Sequence, residues 1–447
     1  MDTPLILALD IGSSSVRAAL YDGDANLLPR TSVKISRELT TTDDGGSEIN
    51  ADEALRQVIA AIDAVLEKTA KIKGEIIAVA SCSFWHSLVG VNASGRPTTK
   101  VFGWADTRSR EFSGVLKKHF DERVVHNRTG AHFHSSYWPA KLLWLRREFP
   151  NVWSKTTRWL SFSDYLAMKL LSEATTSVSM ASGTGIFDIR RCAWDAELLK
   201  FLKIRPTTLP ALADDETAFR LGKKFARRWP SLANAKWFPA IADGAADNIG
   251  VGCVTKNKAA LMIGTSAAMR LAYTGEPPKK IPDGLWCYRI DRNRVIIGGA
   301  LSDGGNLYQL IKTRFKLPAN TDELLRRRGA ASDDLIVLPF FFGERSTGYN
   351  EDARGAVVGL DASHDGVDIL HAAMEGVAFR LAEIYSRLKK VTDIREIVAS
   401  GGALRASPVW TQIIADVLGH DLIVTDTPEN SSRGAVLLAL EYLGMMS

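Results

Sequence analysis

Asp10 closes an apolar run, Leu5 to Leu9, and is followed by Gly12-Ser13-Ser14-Ser15 before a second apolar run from Val16 to Tyr21. That order reads as strand, tight polar turn, strand. Glycine lets a backbone approach an anion closely, and successive N–H groups in a turn form an anion-binding nest. A carboxylate at the mouth of such a turn suits Mg²⁺ carried in on phosphates, because Mg²⁺ takes one or two carboxylates and completes its shell with substrate oxygens and water. The same residues also make an ordinary polar hairpin, and this stretch alone leaves both readings open.

A second stretch bears on that choice. Ala259 to Thr274, AALMIGTSAAMRLAYT, echoes the first hairpin: Ile263-Gly264-Thr265-Ser266 matches Ile11-Gly12-Ser13-Ser14, and Arg270 is the counterpart of Arg17. The second turn reads as one residue longer, and Met262 stands where Asp10 stands in the first. A repeat half a chain apart implies two similarly folded halves whose hairpins face one cleft. Chance likeness of two Gly-Ser hairpins is the competing reading.

The elements that must hold these turns follow in order. Asn50 is placed to cap a helix with Asp52 and Glu53 in its first turn, and Leu55, Val58, Ile59, Ile62, Val65 and Leu66 fall at helical spacing. Ile76 to Ala80 reads as a buried strand running into Ser83-Phe84-Trp85-His86. This alternation of strands and helices indicates an α/β sheet. From Gly103 to Arg147 aromatic, imidazole and charged groups crowd together, and five of the eight histidines fall between His86 and His134. One histidine is more often filler than function; the cluster reads as a pocket for a polyol or sugar. Prolines punctuate the chain up to Pro239, which marks the expected division into residues 1–240 and 241–447. The second half continues with a strand at Arg294 to Ile297, a helix from Gly304 to Phe315, a long helix through Ile369 to Ile384, a strand at Ile394 to Ala399 and the Gly401-Gly402 turn.

Composition sets outer bounds. The 447 residues favour two or three domains, and 46% hydrophobic with 24% charged residues is ordinary for a globular enzyme. The net charge of +5 is dispersed, and the short basic clusters Arg227-Arg228 and Arg326-Arg327-Arg328 do not form the stripe a nucleic-acid partner requires. No apolar run approaches the roughly 20 residues of a membrane span. Cys82, Cys192, Cys253 and Cys287 lie far apart without zinc-ligand spacing, so a reducing cytoplasm is the expected setting.

Taken together, the motifs resemble the FGGY family of carbohydrate kinases, with gluconokinase-like members nearest. They are DIGSSSVR at 10–17, WADTR at 104–108, PAKLLWL at 139–145, DGAADNIGVG at 243–252, IGTS at 263–266, GER at 343–345, ARG at 353–355 and SGGALRASPVWTQIIADVLG at 400–419. The resemblance spans the chain and implies an α/β fold of two ribonuclease-H-like domains, of the actin and hexokinase type, flanking a central cleft. It implies ATP and Mg²⁺ as cofactors, a small sugar or sugar acid as partner, and a cytoplasmic enzyme for which a homodimer is an open assembly. The loop from Ala403 to Gln412 is longer than in xylulokinase-like members.

By that resemblance Asp10 would organise Mg²⁺, and Ser13, Ser14 and Arg17 would line the phosphates. Gly264, Thr265 and Ser266 would approach from the other half. Gly402, Ala403 and Ser407 would lie against the nucleotide, with Gly305 and Gln309 on the adenine side. The sugar would meet Trp85, His86, Asp106, His134, Tyr137 and Asp243. Phosphoryl transfer needs a carboxylate to accept the hydroxyl proton, and Asp243 and Asp247 compete for that role. The family's base lies seven residues before the glycine that opens the next step, which selects Asp243, seven before Gly250, over Asp247. Gluconate or a related sugar acid is the first-choice substrate, ahead of a ketose such as xylulose or another polyol. An actin-like sugar-sensing ATPase without transferase activity is the alternative of another class.

Overall fold

The computed structural model describes residues 4–328, 334–425 and 429–446. Each half is built on one of the two hairpins. In the first sheet the strands run Lys236–Trp237, Glu75–Ser83, Pro4–Ile11, Ser15–Tyr21, Val33–Ser36, and Ile241–Ala242 also pairs with Glu75–Ser83. Pro4–Ile11 pairs antiparallel with Ser15–Tyr21 and parallel with Glu75–Ser83. Covered on both faces, it is apolar without alternation. The second sheet runs Trp286–Arg289, Arg294–Leu301, Ala267–Thr274, Lys258–Ile263, Glu396–Ser400, Leu422–Val424. Its hairpin repeats the plan, with an antiparallel neighbour beyond one strand and a parallel strand beside the other.

Register corrects the reading of the second turn. Ile11 pairs with Val16, whereas Ile263 pairs with Ala267, so the second turn is one residue tighter, not longer. Arg17 stands opposite Asp10; in the second hairpin Met262 stands opposite Ala268. Arg270 therefore lies two residues beyond the position equivalent to Arg17, on the same face of the strand.

Helices cover the sheets as their patterns dictate. Asn50 caps Ala51–Lys68 by accepting from the Glu53 N–H at 3.0 Å, and Ala54, Val58, Ala61, Ile62 and Val65 turn inward. Gly366–Leu388 plays the same part in the second half, opened by a capping box between Asp365 and Asp368.

Two features tie the halves together. Ile241–Ala242 leads directly into the helix Asp243–Gly250, which packs on the last helix, Asn430–Tyr442. A Cβ on Gly434 would overlap the Ala246 carbonyl, so these helices meet backbone to backbone. Ala245, Ile249, Val436 and Leu440 thereby share a core with Ile6 and Ala8 of the first sheet. A division after residue 240 thus runs just ahead of a strand that still belongs to the first sheet. Elsewhere the Cys287 N–H donates to the Gly130 carbonyl at 2.9 Å. The Glu351 carboxylate accepts from Ser113 Oγ at 2.8 Å and from the N–H and Oγ of Ser135 at 2.6 and 2.7 Å.

All four cysteines are unpaired. Among the described residues no helix is long and apolar enough to cross a membrane.

Candidate active site

Both hairpins open onto one cavity of about 460 Å³ between the halves. Asp10 and Arg17 enter from the first hairpin; Met262, Gly264, Ser266 and Arg270 enter from the second. A second cavity of about 400 Å³ adjoins it, and Gly264 lines both. Gly264, Thr265, Gly305, Gln309, Gly402, Ala403 and Ser407, drawn from three separate segments, all line this second space, where Asn306 and Tyr308 join them. Ser407 also caps the helix Pro408–Leu418 by accepting from the Trp410 N–H, and its hydroxyl donates to Asp322. Ser13 and Ser14 sit at the tip of the first turn, Ser14 exposed, and neither lines either cavity.

Asp10, Asp243, Asp247 and Glu429 line the larger cavity, and the surroundings of the three aspartates differ. Asp10 accepts from Arg17 Nη1 at 3.0 Å and from the Cys82 thiol at 3.4 Å. Asp247 accepts from Arg270 Nη1 at 3.0 Å, and the same nitrogen reaches the Gly244 carbonyl at 3.2 Å. Asp243, the first residue of its helix, accepts only from the adjacent Gly244 N–H, at 2.7 Å, and has no ion pair among the described residues. Burial, and then the nearby Asp10 charge, push its carboxyl up to about 6. Desolvation and a like charge both disfavour the ionised form.

The far end is aromatic. Trp85 is locked in place: its Nε1 donates to the Ser179 carbonyl at 3.0 Å, and a Cβ on Gly244 would come within 2.8 Å of its ring. Trp286 and Tyr288 stack in parallel at 4.6 Å, and the Tyr137 and Tyr288 hydroxyls meet at 2.6 Å. His86 Nδ1 lies 2.5 Å from the Gly183 carbonyl, which assigns the proton to Nδ1 and leaves Nε2 as acceptor. Burial pulls its pKa down to about 3, so the ring is neutral. Arg345 projects into this end, stacked over Trp104 at 4.4 Å and donating to the Leu301 carbonyl at 2.6 Å. Among the described residues it has no carboxylate within ion-pairing distance, and its Nε is buried without a partner.

The histidine cluster does not form as expected. Of its five members only His86 lines the main cavity. His126 is bonded to the Leu285 carbonyl and stacks on His132 at 3.9 Å, and His119 packs on Phe201. His134 faces Glu351 at 3.4 Å and lines a side pocket with Arg345. Asp106 is likewise placed away from the main cavity: it is 1% exposed, clasped by Arg108 and by the Ser47 N–H at 3.1 Å. Tyr137 and Trp85 do line the cavity. Lys141 lies beneath, fully buried, with Nζ donating to the carbonyls of Ser135 and Ser136 at 2.6 Å each and so fixing the segment that carries Tyr137. The sequence reading missed Arg345, Trp286, Tyr288 and Tyr349, all of which line the main cavity. Trp286 and Tyr288, two apart on one strand, share a face by simple alternation, which was a usable signal.

The FGGY carbohydrate kinase N-terminal domain matches residues 5–227 and the C-terminal domain matches residues 259–441. The chain belongs to the FGGY family of carbohydrate kinases. It is a sugar phosphotransferase, and the enzymes of this family are ATP-dependent. A gluconokinase of Bacillus licheniformis is 27% identical, covering 99% of this chain and 88% of the relative. Among solved structures, a gluconate kinase from Lactobacillus acidophilus is 27% identical with a TM-score of 0.89, and a ligand-bound xylulose kinase from the same organism is 28% identical with a TM-score of 0.90. Each pairing covers 99% of this chain and 90% of the other.

The donor set bears on the metal. Among the described residues no group of three or more His, Cys, Asp or Glu side chains is placed to hold an ion. Asp10 and Asp243 instead offer two carboxylates close enough for one to shift the other. That set fits Mg²⁺ arriving on phosphates and does not fit a metal held by protein alone.

Proposed function

We propose that this FGGY kinase phosphorylates a hydroxyl of gluconate or a closely related sugar acid, with Mg-ATP as donor and Asp243 as general base. The observation that carries the acceptor class is Arg345. A guanidinium without a carboxylate partner, stacked on Trp104 at the aromatic end of the cavity, is chemically matched to a substrate carboxylate, which arginine binds through two parallel hydrogen bonds. The gluconokinase and gluconate kinase relatives support the same choice.

The roles follow from the environments. Asp243 takes the hydroxyl proton, since Asp247 is neutralised by Arg270 and Asp10 by Arg17. Asp10 holds the Mg²⁺, which shields the phosphate charge when bound. Trp85 presents a flat face to the carbon skeleton, while neutral His86 accepts from a hydroxyl through Nε2. Tyr137 and Tyr288 close the pocket wall. Gly264, Gly305, Gly402 and Ala403 let the nucleotide lie close against the backbone, and closure of the cleft keeps water from the transferring phosphoryl. We assign the enzyme to the cytoplasm.

A second reading is a ketose kinase, xylulose first. It is favoured by the paired hydroxyls of Tyr137 and Tyr288, which suit a neutral polyol, and by the xylulose kinase relative. An ATP-consumption screen over gluconate, other sugar acids, xylulose, other ketoses, aldoses and glycerol decides between them. Turnover with gluconate at least tenfold above that with xylulose is the expected result. Arg345→Met should then raise KM for gluconate far more than for any neutral acceptor; a screen led by xylulose overturns the acceptor assignment. ATP hydrolysis that no acceptor stimulates would instead mark a sugar-sensing ATPase.

A further inference from the structure

Four arginines line the main cavity: Arg17, Arg270, Arg345 and Arg405. Two are paired with carboxylates, and a third is held at the far, aromatic end. Arg17 binds Asp10 at 3.0 Å and reaches Glu429 at 3.5 Å. Arg270 binds Asp247. Arg345 is held at the aromatic end by Trp104 and the Leu301 carbonyl. Arg405 alone has an exposed side chain with neither an ion pair nor a hydrogen bond among the described residues.

Its position on the chain adds a second, separate argument. Gly401, four residues earlier, lines the main cavity, while Gly402 and Ala403 line the adjoining one. Of these two spaces Arg405 itself lines only the main one, but it shares a short helix with Gly402 and Ala403 and so lies near the junction that Gly264 marks. An acceptor beside Asp243 and a nucleotide against Gly264, Gly305 and Ala403 must exchange the phosphoryl group across this junction. The charge that develops on the transferring oxygens needs a cation not already neutralised by a carboxylate of the protein.

We propose that Arg405 is a catalytic residue whose guanidinium engages the phosphoryl group in flight. As the acceptor oxygen bonds to the terminal phosphorus, Asp243 receives the hydroxyl proton. The bond from that phosphorus to the β–γ bridging oxygen breaks, its electron pair leaving with ADP, while Arg405 bonds the equatorial oxygens. This reading rests on the kinase activity and is independent of which sugar is used.

The test compares Arg405→Ala and Arg405→Lys with the wild type. With gluconate, xylulose and glycerol as acceptors, kcat of the alanine variant should fall about 10²–10³-fold on whichever is used, the size of loss seen when one transition-state donor is removed. KM for ATP should stay within threefold, lysine should restore only part, and added guanidinium ion should restore part of the alanine variant's turnover. Calorimetry supplies a readout apart from turnover: ADP should bind the variants as it binds the wild type, while ADP with Mg²⁺ and aluminium fluoride should bind the alanine variant at least tenfold more weakly. Turnover within threefold of wild type, or an ADP affinity that falls as far as kcat does, overturns the assignment. Failure of gluconate as an acceptor changes only the acceptor assignment. Because Arg405 is exposed and has no partner, its variants should melt with the wild type, which separates a catalytic loss from a folding one.

Discussion

Arg270 holds Asp247 at 3.0 Å, and this pair leaves only one of two neighbouring aspartates without a counter-charge. Asp243, one helical turn earlier, faces the same cavity with only a backbone N–H for company. Asp243→Asn should therefore lower kcat about 10²–10⁴-fold, the usual worth of a general base, without lowering the melting temperature. Asp247→Ala should instead destabilise the fold by about 3–5 kcal/mol, because it leaves Arg270 buried without its counter-charge. Steady-state turnover and thermal melts of the two variants check this; the reverse pattern would transfer the base to Asp247.

The raised Asp243 carboxyl makes pH a second probe. A base must be ionised to act, so turnover should climb with pH through about 6 and level off above it. Stability should move the other way. The folded state binds this proton more tightly than the unfolded chain, whose carboxyl titrates near 3.8. Its contribution is complete below that value and is lost as pH rises through about 6. Chemical denaturation of wild type and Asp243→Asn at pH 5 and pH 8 should show the variant gaining relative stability at the higher pH.

Lys141 touches the site only through backbone carbonyls. Lys141→Met strips the donor from Ser135 and Ser136 and should cost about 1–3 kcal/mol for the unsatisfied acceptors. The segment it fixes carries Tyr137, so KM for the sugar should rise while KM for ATP holds. Initial-rate kinetics varying each substrate in turn will show whether the effect is confined to the acceptor.

Gly183 has an ordinary φ of −79°, so alanine there is opposed only by space, and its Cβ would overlap the Trp85 ring. Gly183→Ala should displace Trp85, shift the intrinsic tryptophan emission and raise KM for the sugar at least tenfold. An unchanged emission spectrum with normal KM would show that the indole does not define the pocket.

Both hairpins were legible because their strands are covered on both faces and must be continuously apolar, while the turns must be small and polar. The residues of the second cavity came from the family resemblance rather than from any local pattern, since Gly264, Gly305, Gly402 and Ala403 are drawn from three separate segments. What misled was register. Arg17 and Arg270 match in type, yet a turn one residue tighter moves Arg270 along its strand, and only hydrogen-bond pairing reveals that. Asp106 misled because its partners, Arg108 and the Ser47 N–H, fill its acceptor capacity, a tertiary fact invisible in a motif. Arg345 lies within the GER motif, which by itself gives it no role, because its isolation from carboxylates depends on how the two halves meet.

The Gly130–Cys287 and Glu351–Ser135 links fasten the halves beside the aromatic end, while toward the phosphates the first hairpin's Arg17 meets Glu429 of the second half in a half-exposed ion pair at 3.5 Å, a weaker tie. The halves are thus fastened more firmly on the acceptor side, like a book along its spine, than toward the nucleotide edge. Product departure inherits that asymmetry. ADP should leave first by the open edge, and the phosphorylated sugar, sitting against the spine, should follow, giving ordered release with sugar phosphate as the last product off.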